Sequence, residues 1–320
     1  MHDDFYPSPI QNPEKHQLRD NANYIGLMML VMEGSFFLLG NVLNLLASVV
    51  TLDLTIYLFV YSAAYSIAMA LSAILVSVLS GRRHFPLSPS RSVRPADAFF
   101  GILAAIGICM AANIAVNFIL LFFESFGVPE PEMPDYLQPT VQSLLLNLFV
   151  FAVLPALLEE LVFRGYVLRA LRPHGDWFAV IVSSVMFGLM HGNIAQIPFA
   201  LIVGVALGWL YIMTDNIWVP VAVHFANNTF SFLLQYCTLG MDEAKLEMVN
   251  AFAIFSLIAI GALSLAVLIA RRSALFRRLS CRSSLMTGDR LKTLLGAPLF
   301  LISVLVFILL TIVDVVGSIK

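Results

Sequence analysis

Charged residues are scarce in this chain. Only 12% of its 320 residues are Asp, Glu, Lys or Arg, and 60% are hydrophobic. Soluble domains contain about 25% charged residues, so this composition excludes an ordinary soluble domain. Apolar segments of about twenty residues cross the hydrocarbon core of a bilayer as helices. The sequence therefore predicts an all-α fold, a polytopic transmembrane helical bundle.

Cysteines are also few, and several catalytic motifs are missing. Cys109, Cys237 and Cys281 are scattered, which fits neither a disulfide framework nor a CxxC metal site. The chain has no HExxH zinc motif, no GxSG serine motif and no GxGD aspartate motif. Residues 1–23 lack an apolar segment behind a basic start, so we expect no cleavable signal peptide. No nucleic-acid partner is expected.

Nine apolar segments are long enough to be membrane spans, and charges between them predict their orientation. The predicted spans are 24–50, 55–80, 98–123, 141–172, 177–194, 196–214, 217–236, 250–270 and 297–317. Acidic residues crowd the third loop, whereas basic residues crowd the second, fourth and eighth. The positive-inside rule places those basic loops and the N-terminal tail in the cytoplasm. The basic residues are Arg82, Arg83, Arg91, Arg94, Arg169, Arg172, Arg271, Arg272, Arg277, Arg278, Arg282, Arg290 and Lys292.

Ionisable residues interrupt the fourth span. Glu159, Glu160 and Arg164 lie in apolar sequence, where one ionised group near the bilayer centre costs about 2.5–3.5 kcal/mol. Residues four apart share a helix face, so Glu160 and Arg164 are predicted to form an ion pair. Glu159 is turned about 100° away and is not offered that cation. We therefore expect Glu159 to be the general base and Glu160 to be an orienting carboxylate.

Two later spans carry further polar groups. His191 shares a face with Phe187, and His224 shares one with Asn228. Rise along the helices brings these groups to the depth of Glu159, which predicts one cavity on the cytoplasmic side. His191 would orient water or share its proton, and His224 and Asn228 would donate to an oxyanion.

A metal site is the alternative chemistry for the same residues. Glu159, His191 and His224 form an acceptable ligand set for a divalent metal such as zinc, which would activate bound water. The spacing does not decide between a metal and a metal-free glutamate mechanism, so the cofactor remains unknown at this point.

The three motifs together resemble a known family. Glu159-Glu160-x-x-x-Arg164, Phe187-x-x-x-His191 and His224-x-x-x-Asn228 are similar to those of the CaaX-processing and bacteriocin-immunity (CPBP, or Abi) intramembrane proteases. That family includes the type II CaaX prenyl endopeptidases. The resemblance covers about 141–236. It implies that Glu159 and His191 activate water, and that His224 and Asn228 form the oxyanion hole.

These observations predict an intramembrane endopeptidase acting on a membrane-associated CaaX-like or bacterial peptide or protein. The expected organisation is a cytoplasmic tail (1–23), N-terminal spans (24–140), a catalytic core (141–236) and C-terminal spans (237–320) with a basic cytoplasmic loop (271–295). The expected partners are membrane lipid and a peptide or protein substrate. The site is expected to open toward the cytoplasm, in the plasma membrane if the host is bacterial. A proton- or ion-coupled carrier and a non-catalytic adaptor or immunity protein remain the alternatives.

Overall fold

The structure, a computed structural model, describes residues 12–50, 52–81, 92–128, 136–271, 273, 279–281 and 283–318, and all of their regular secondary structure is helical. Within these ranges it contains no strand. Several charged residues used to predict the orientation lie outside them: Arg82, Arg83, Arg91, Arg272, Arg277, Arg278, Arg282 and the acidic residues of 129–135.

The described residues form ten helices, which we number in chain order. They are α1 (Pro13–Val49), α2 (Leu54–Leu79), α3 (Pro95–Glu124), α4 (Val141–His174), α5 (Asp176–Met190), α6 (Gln196–Thr214), α7 (Trp218–Thr238), α8 (Glu243–Ala270), α9 (Thr287–Leu295) and α10 (Pro298–Ser318).

The prediction of an all-α, polytopic bundle is confirmed. Each of the nine predicted spans overlaps one described helix, although the fifth (177–194) extends four residues beyond the end of α5 at Met190. Seven described helices (α1–α4, α6, α8 and α10) are long and apolar enough to cross a membrane. The other two are α5 and α7. Helix α5 has only 15 residues, about 22 Å at 1.5 Å per residue, which is shorter than a hydrocarbon core of about 30 Å. Helix α7 carries the polar site residues.

Helix α1 begins earlier than the predicted first span. The side chain of Asn12 accepts a hydrogen bond from the backbone N–H of Glu14, and Pro13 occupies the first helical turn. Both features favour a helix start. Asn21 is buried and donates to the carbonyl of Ala170 in α4 at 2.8 Å. Residues 13–23, predicted as part of the tail, therefore form a helical extension that packs on α4.

Helix α4 lies inside the bundle, in contact with α2, α5, α6 and α7. Helix α1 packs against α2 and α10, α3 against α8, and α5 against α6. Glycine allows two of these close approaches. A Cβ on Gly26 would lie 2.3 Å from the backbone of Leu299, and one on Gly107 would lie 2.7 Å from the Cα of Gly261. Small residues at such crossings let membrane helices approach closely.

The described residues of the predicted basic loop 271–295 include a short helix, α9, and contacts to the start of α5 and the end of α4. Asp176, at the start of α5, accepts hydrogen bonds from the backbone N–H and the hydroxyl of Ser280 at 2.7 and 2.9 Å. Arg290 is buried and donates to the carbonyl of His174. Arg290, one of the charges used for orientation, therefore has a structural role as well.

Candidate active site

The two glutamates lie on a short α-helical stretch of α4, Leu154–Glu160, between π-helical turns at Phe149–Val153 and Leu161–Leu168. Such π turns are frequent at functional sites. Pro155 gives a local reason for the first irregularity, because proline has no N–H to donate to the carbonyl of Phe151 four residues earlier. Asn228 Nδ2 of α7 donates to that oxygen at 2.9 Å. The proline thus exposes a carbonyl that ties α7 to α4.

Glu160 and Arg164 form a completely buried ion pair. Arg164 Nη1 lies 2.8 Å from Glu160 Oε1, and the side chains are 1% and 0% exposed. Arg164 Nη2 also donates to the carbonyl of Gly204 in α6 at 3.1 Å, and the guanidinium lies 4.6 Å from the ring centre of Phe187. The ion pair predicted from the spacing is therefore present, and it links three helices.

His224 bridges the two glutamates. Its Nδ1 lies 2.9 Å from Glu160 Oε1, and its Nε2 lies 3.8 Å from Glu159 Oε2. Because the ionised Glu160 has no proton to donate, Nδ1 carries the hydrogen of this bond. Nε2 is then the nitrogen that faces Glu159.

Among the described residues, no arginine or lysine forms an ion pair with Glu159, as the spacing predicts. Tyr65 of α2 donates to Glu159 Oε1 at 2.6 Å. The other oxygen, Oε2, is buried and makes no hydrogen bond to any described residue. Buried carboxylate oxygens are normally hydrogen-bonded, and exceptions often have a chemical role. One oxygen of Glu159 is thus fixed, and the other is free to accept a proton.

His191 lies at the end of α5, outside this hydrogen-bonded group. Its Nδ1 is 2.8 Å from the carbonyl of Phe187, which leaves Nε2 as the accepting nitrogen in the neutral ring. The ring of Phe187 contacts both histidines edge-on, with centroid distances of 5.0 Å to His191 and 6.0 Å to His224. Within the described residues, His191 makes no hydrogen bond to Glu159 or Glu160.

The structure therefore joins four of the six predicted site residues directly: Glu159, Glu160, Arg164 and His224. His191 adjoins them through Phe187, and Asn228 is turned toward the carbonyl of Phe151. Tyr65 was missed by the sequence analysis. Its only local signal is that Tyr57, Tyr61 and Tyr65 recur every four residues in α2, which places them on one helix face.

The predicted metal ligands do not form a metal site in this arrangement. Within the described part of the chain, no three His, Cys, Asp or Glu side chains are grouped closely enough to hold an ion. Glu159 and His224 are close to each other, but Nδ1 of His224 is engaged by Glu160.

The segment that carries the site is similar to known proteins. Residues 141–230 match the sequence model of a family described as type II CAAX prenyl endopeptidase Rce1-like. The resemblance based on the three motifs is confirmed over this segment. No solved structure matches the chain.

Two curated proteins are similar to part of the chain. The putative membrane peptidase YdiL of Bacillus subtilis (strain 168) is 30% identical over 142 residues, which cover 41% of this chain and 58% of the relative. The membrane-embedded CAAX protease MroQ of Staphylococcus aureus (strain USA300) is 30% identical over 110 residues, covering 32% of this chain and 44% of the relative. The chain thus spans about half the length of these relatives. Its apolar helices and these similarities mark it as an integral, multi-pass membrane protein.

Proposed function

We propose that this protein is an intramembrane endopeptidase in which Glu159 activates water for attack on a peptide bond. The observation that carries the proposal is the state of the Glu159 carboxylate. It is buried, and among the described residues it has no arginine or lysine partner and its Oε2 accepts no hydrogen bond, while Tyr65 holds Oε1. A general base needs an accepting atom that is positioned but not already occupied.

The proposed reaction begins with proton transfer from water to Glu159 Oε2 as the water oxygen attacks the carbonyl carbon. Nε2 of His224 is the neighbouring second acceptor, 3.8 Å from that oxygen. When the proton is shared with Nε2, the ring becomes an N–H donor at the moment when negative charge forms on the carbonyl oxygen. The proton then passes to the amide nitrogen, the oxyanion collapses as the C–N bond breaks, and a carboxylic acid and an amine are released.

The buried pair Glu160–Arg164 orients His224 in this scheme. Glu160 Oε1 accepts from both Arg164 and Nδ1 of His224, so the ring is held with Nε2 toward Glu159. His191 supports the attacking water through its accepting Nε2. Asn228 has a second amide hydrogen besides the one bound to Phe151, and that hydrogen is the proposed second donor to the oxyanion.

The names of the relatives make a membrane-associated peptide or protein the proposed substrate, with a CaaX-like tail or a bacterial membrane peptide as the two forms. The site is proposed to open toward the cytoplasm, in the plasma membrane if the host is bacterial. Support comes from the basic loop 271–295, since positive loops stay cytoplasmic. Part of that loop is docked on the end of α4, from which Glu159 lies roughly 20 Å away at 1.5 Å per residue.

The test compares new peptide termini in membranes from cells carrying wild type, Glu159→Gln or Glu33→Gln protein at equal expression. Glu33 is a partly buried carboxylate in α1 and serves as the matched control. We expect a set of termini that vanishes in Glu159→Gln and persists in Glu33→Gln. If no terminus depends on Glu159 under several growth conditions, the protease assignment is wrong, and a carrier or an adaptor becomes the better explanation.

A further inference from the structure

Tyr65 reaches the candidate base from outside the segment that carries the family motifs. It lies in α2, 94 residues before Glu159, and its hydroxyl is 2.6 Å from Glu159 Oε1. A hydroxyl donating to an ionised carboxylate at this distance is a charge-assisted hydrogen bond, which is stronger than a neutral one. It is the only hydrogen bond that the Glu159 carboxylate makes among the described residues.

The ring of Tyr65 is itself held in place. Phe36 of α1 stacks on it with a centroid distance of 5.6 Å and an interplanar angle of 12°. Tyr61, one helical turn earlier in α2, also stacks with the Tyr65 ring, with a centroid distance of 6.5 Å and an interplanar angle of 19°. Aromatic contacts of this kind restrict a ring at little entropic cost, because tyrosine has only two side-chain torsions. The hydroxyl is therefore presented to Glu159 from a defined direction.

We propose that Tyr65 is a positioning residue that binds Oε1 of Glu159 and thereby assigns proton acceptance to Oε2. The geometry supports this because the two oxygens have different surroundings. Oε1 is occupied by the phenol, whereas Oε2 is free and lies 3.8 Å from His224 Nε2. Without the phenol, the carboxylate can rotate about its terminal torsion, which has a broad, two-fold preference. A smaller fraction of the protein molecules would then have a carboxylate oxygen of Glu159 directed at the attacking water.

This inference rests on the proposed function, in which Glu159 is the base. It adds that the N-terminal helices complete the site: α2 supplies the hydroxyl and α1 supplies the ring that backs it. Helices α1 and α2 lie outside residues 141–230, which match the family model.

The test uses Tyr65→Phe, with Tyr57→Phe as the matched control, since the ring contact of Tyr57 is to Tyr136 and not to Tyr65. Both changes remove one phenolic oxygen from the same face of α2, but only Tyr65 hydrogen-bonds to Glu159. The probe is a synthetic peptide spanning the most abundant Glu159-dependent cleavage in membranes, assayed with full-length protein in nanodiscs. We expect Tyr65→Phe to lower kcat by about 10- to 100-fold with KM within about twofold, and Tyr57→Phe to match wild type.

A double-mutant cycle separates positioning from a general structural effect. Glu159→Asp shortens the side chain by one methylene and withdraws the carboxylate from the phenol. Tyr65→Phe should therefore reduce kcat by less than about threefold in the Glu159→Asp background. A Tyr65 that only supports the fold would lower kcat by the same factor in both backgrounds, and would lower the melting temperature as well.

Each outcome decides the matter. If Glu159→Gln is inactive while Tyr65→Phe equals wild type, the role of Tyr65 is refuted and the proposed function stands. If the losses from Tyr65→Phe are equal in both backgrounds, or if KM rises while kcat is unchanged, Tyr65 is structural or binds substrate. If Glu159→Gln keeps its activity, or if no Glu159-dependent terminus exists, the proposed function fails, and this inference fails with it.

Discussion

Replacing Arg164 by methionine should strongly destabilise the protein, because it leaves Glu160 charged and buried. The Arg164 and Glu160 side chains are 1% and 0% exposed, and their closest atoms are 2.8 Å apart. Removing one partner of such a pair costs about 3–5 kcal/mol of unfolding free energy, since the remaining charge is uncompensated. The carbonyl of Gly204 also loses its donor, which lies 3.1 Å away. We expect a total loss in the upper part of that range.

The double variant Glu160→Gln/Arg164→Met provides the decisive comparison. It removes both charges, and the amide oxygen of Gln can still accept from Nδ1 of His224. Replacing a whole buried pair by neutral groups is often nearly neutral for stability. The double variant should therefore be more stable than Arg164→Met by about 2 kcal/mol or more, although it carries one more substitution, because it leaves no uncompensated charge in the interior.

The measurement is the free energy of unfolding in nonionic micelles, followed by tryptophan fluorescence during titration with SDS. Lys245→Met is the control, since Lys245 and Asp242 form an ion pair at 2.7 Å with both side chains more than half exposed. Exposed pairs contribute little to stability, so this variant should unfold like wild type. A cost below about 1 kcal/mol for Arg164→Met, or a double variant no more stable than the single one, would refute the uncompensated-charge argument.

Three further predictions concern packing, the docked loop and the cofactor. Gly26→Ala should cost about 1–3 kcal/mol of unfolding free energy or more, because the added Cβ would lie 2.3 Å from the backbone of Leu299. The control is Gly34→Ala in the same helix, where a Cβ would meet nothing within 4 Å, and this variant should unfold like wild type. Asp176→Ala should speed limited proteolysis within residues 271–286, because Ser280 loses both bonds to that carboxylate; an unchanged cleavage pattern would contradict its role in docking the loop. Chelation of divalent cations should leave turnover unchanged, since no three-ligand group forms among the described residues; turnover that is lost on chelation and restored by one equivalent of metal would show that the side chains rearrange around an ion.

The parts of the site that were predictable depend on spacing within one helix. Glu160 and Arg164 are four residues apart on α4, so their pairing follows from helix geometry alone. The isolation of Glu159 from Arg164 follows in the same way. The role of helix α7 was also accessible, because His224 and Asn228 recur at the spacing of one helix face in an otherwise apolar segment.

The parts that were missed depend on how the helices rotate against one another. Tyr65 faces Glu159 rather than lipid only because α2 packs on α4 in one orientation. In a membrane protein, apolar residues face both lipid and the bundle interior, so hydropathy does not reveal this rotation. The π turns of α4 also escape prediction, since they shift the faces of the helix without changing its composition.

The arrangement of charges explains how two adjacent glutamates can share one site inside the bundle. Arg164 neutralises Glu160 at 2.8 Å, and Glu160 then serves as the acceptor that fixes His224. Among the described residues, Glu159 accepts a hydrogen bond only from the hydroxyl of Tyr65, which orients the carboxylate without adding a cation. The two carboxylates thus differ in role because their partners differ, and the partner of Glu159 comes from α2. Residues 141–230 hold the proposed reacting groups, but the hydroxyl that orients the proposed base lies outside them. A variant that alters only the contact between α2 and α4 should therefore reduce turnover while every motif residue remains in place.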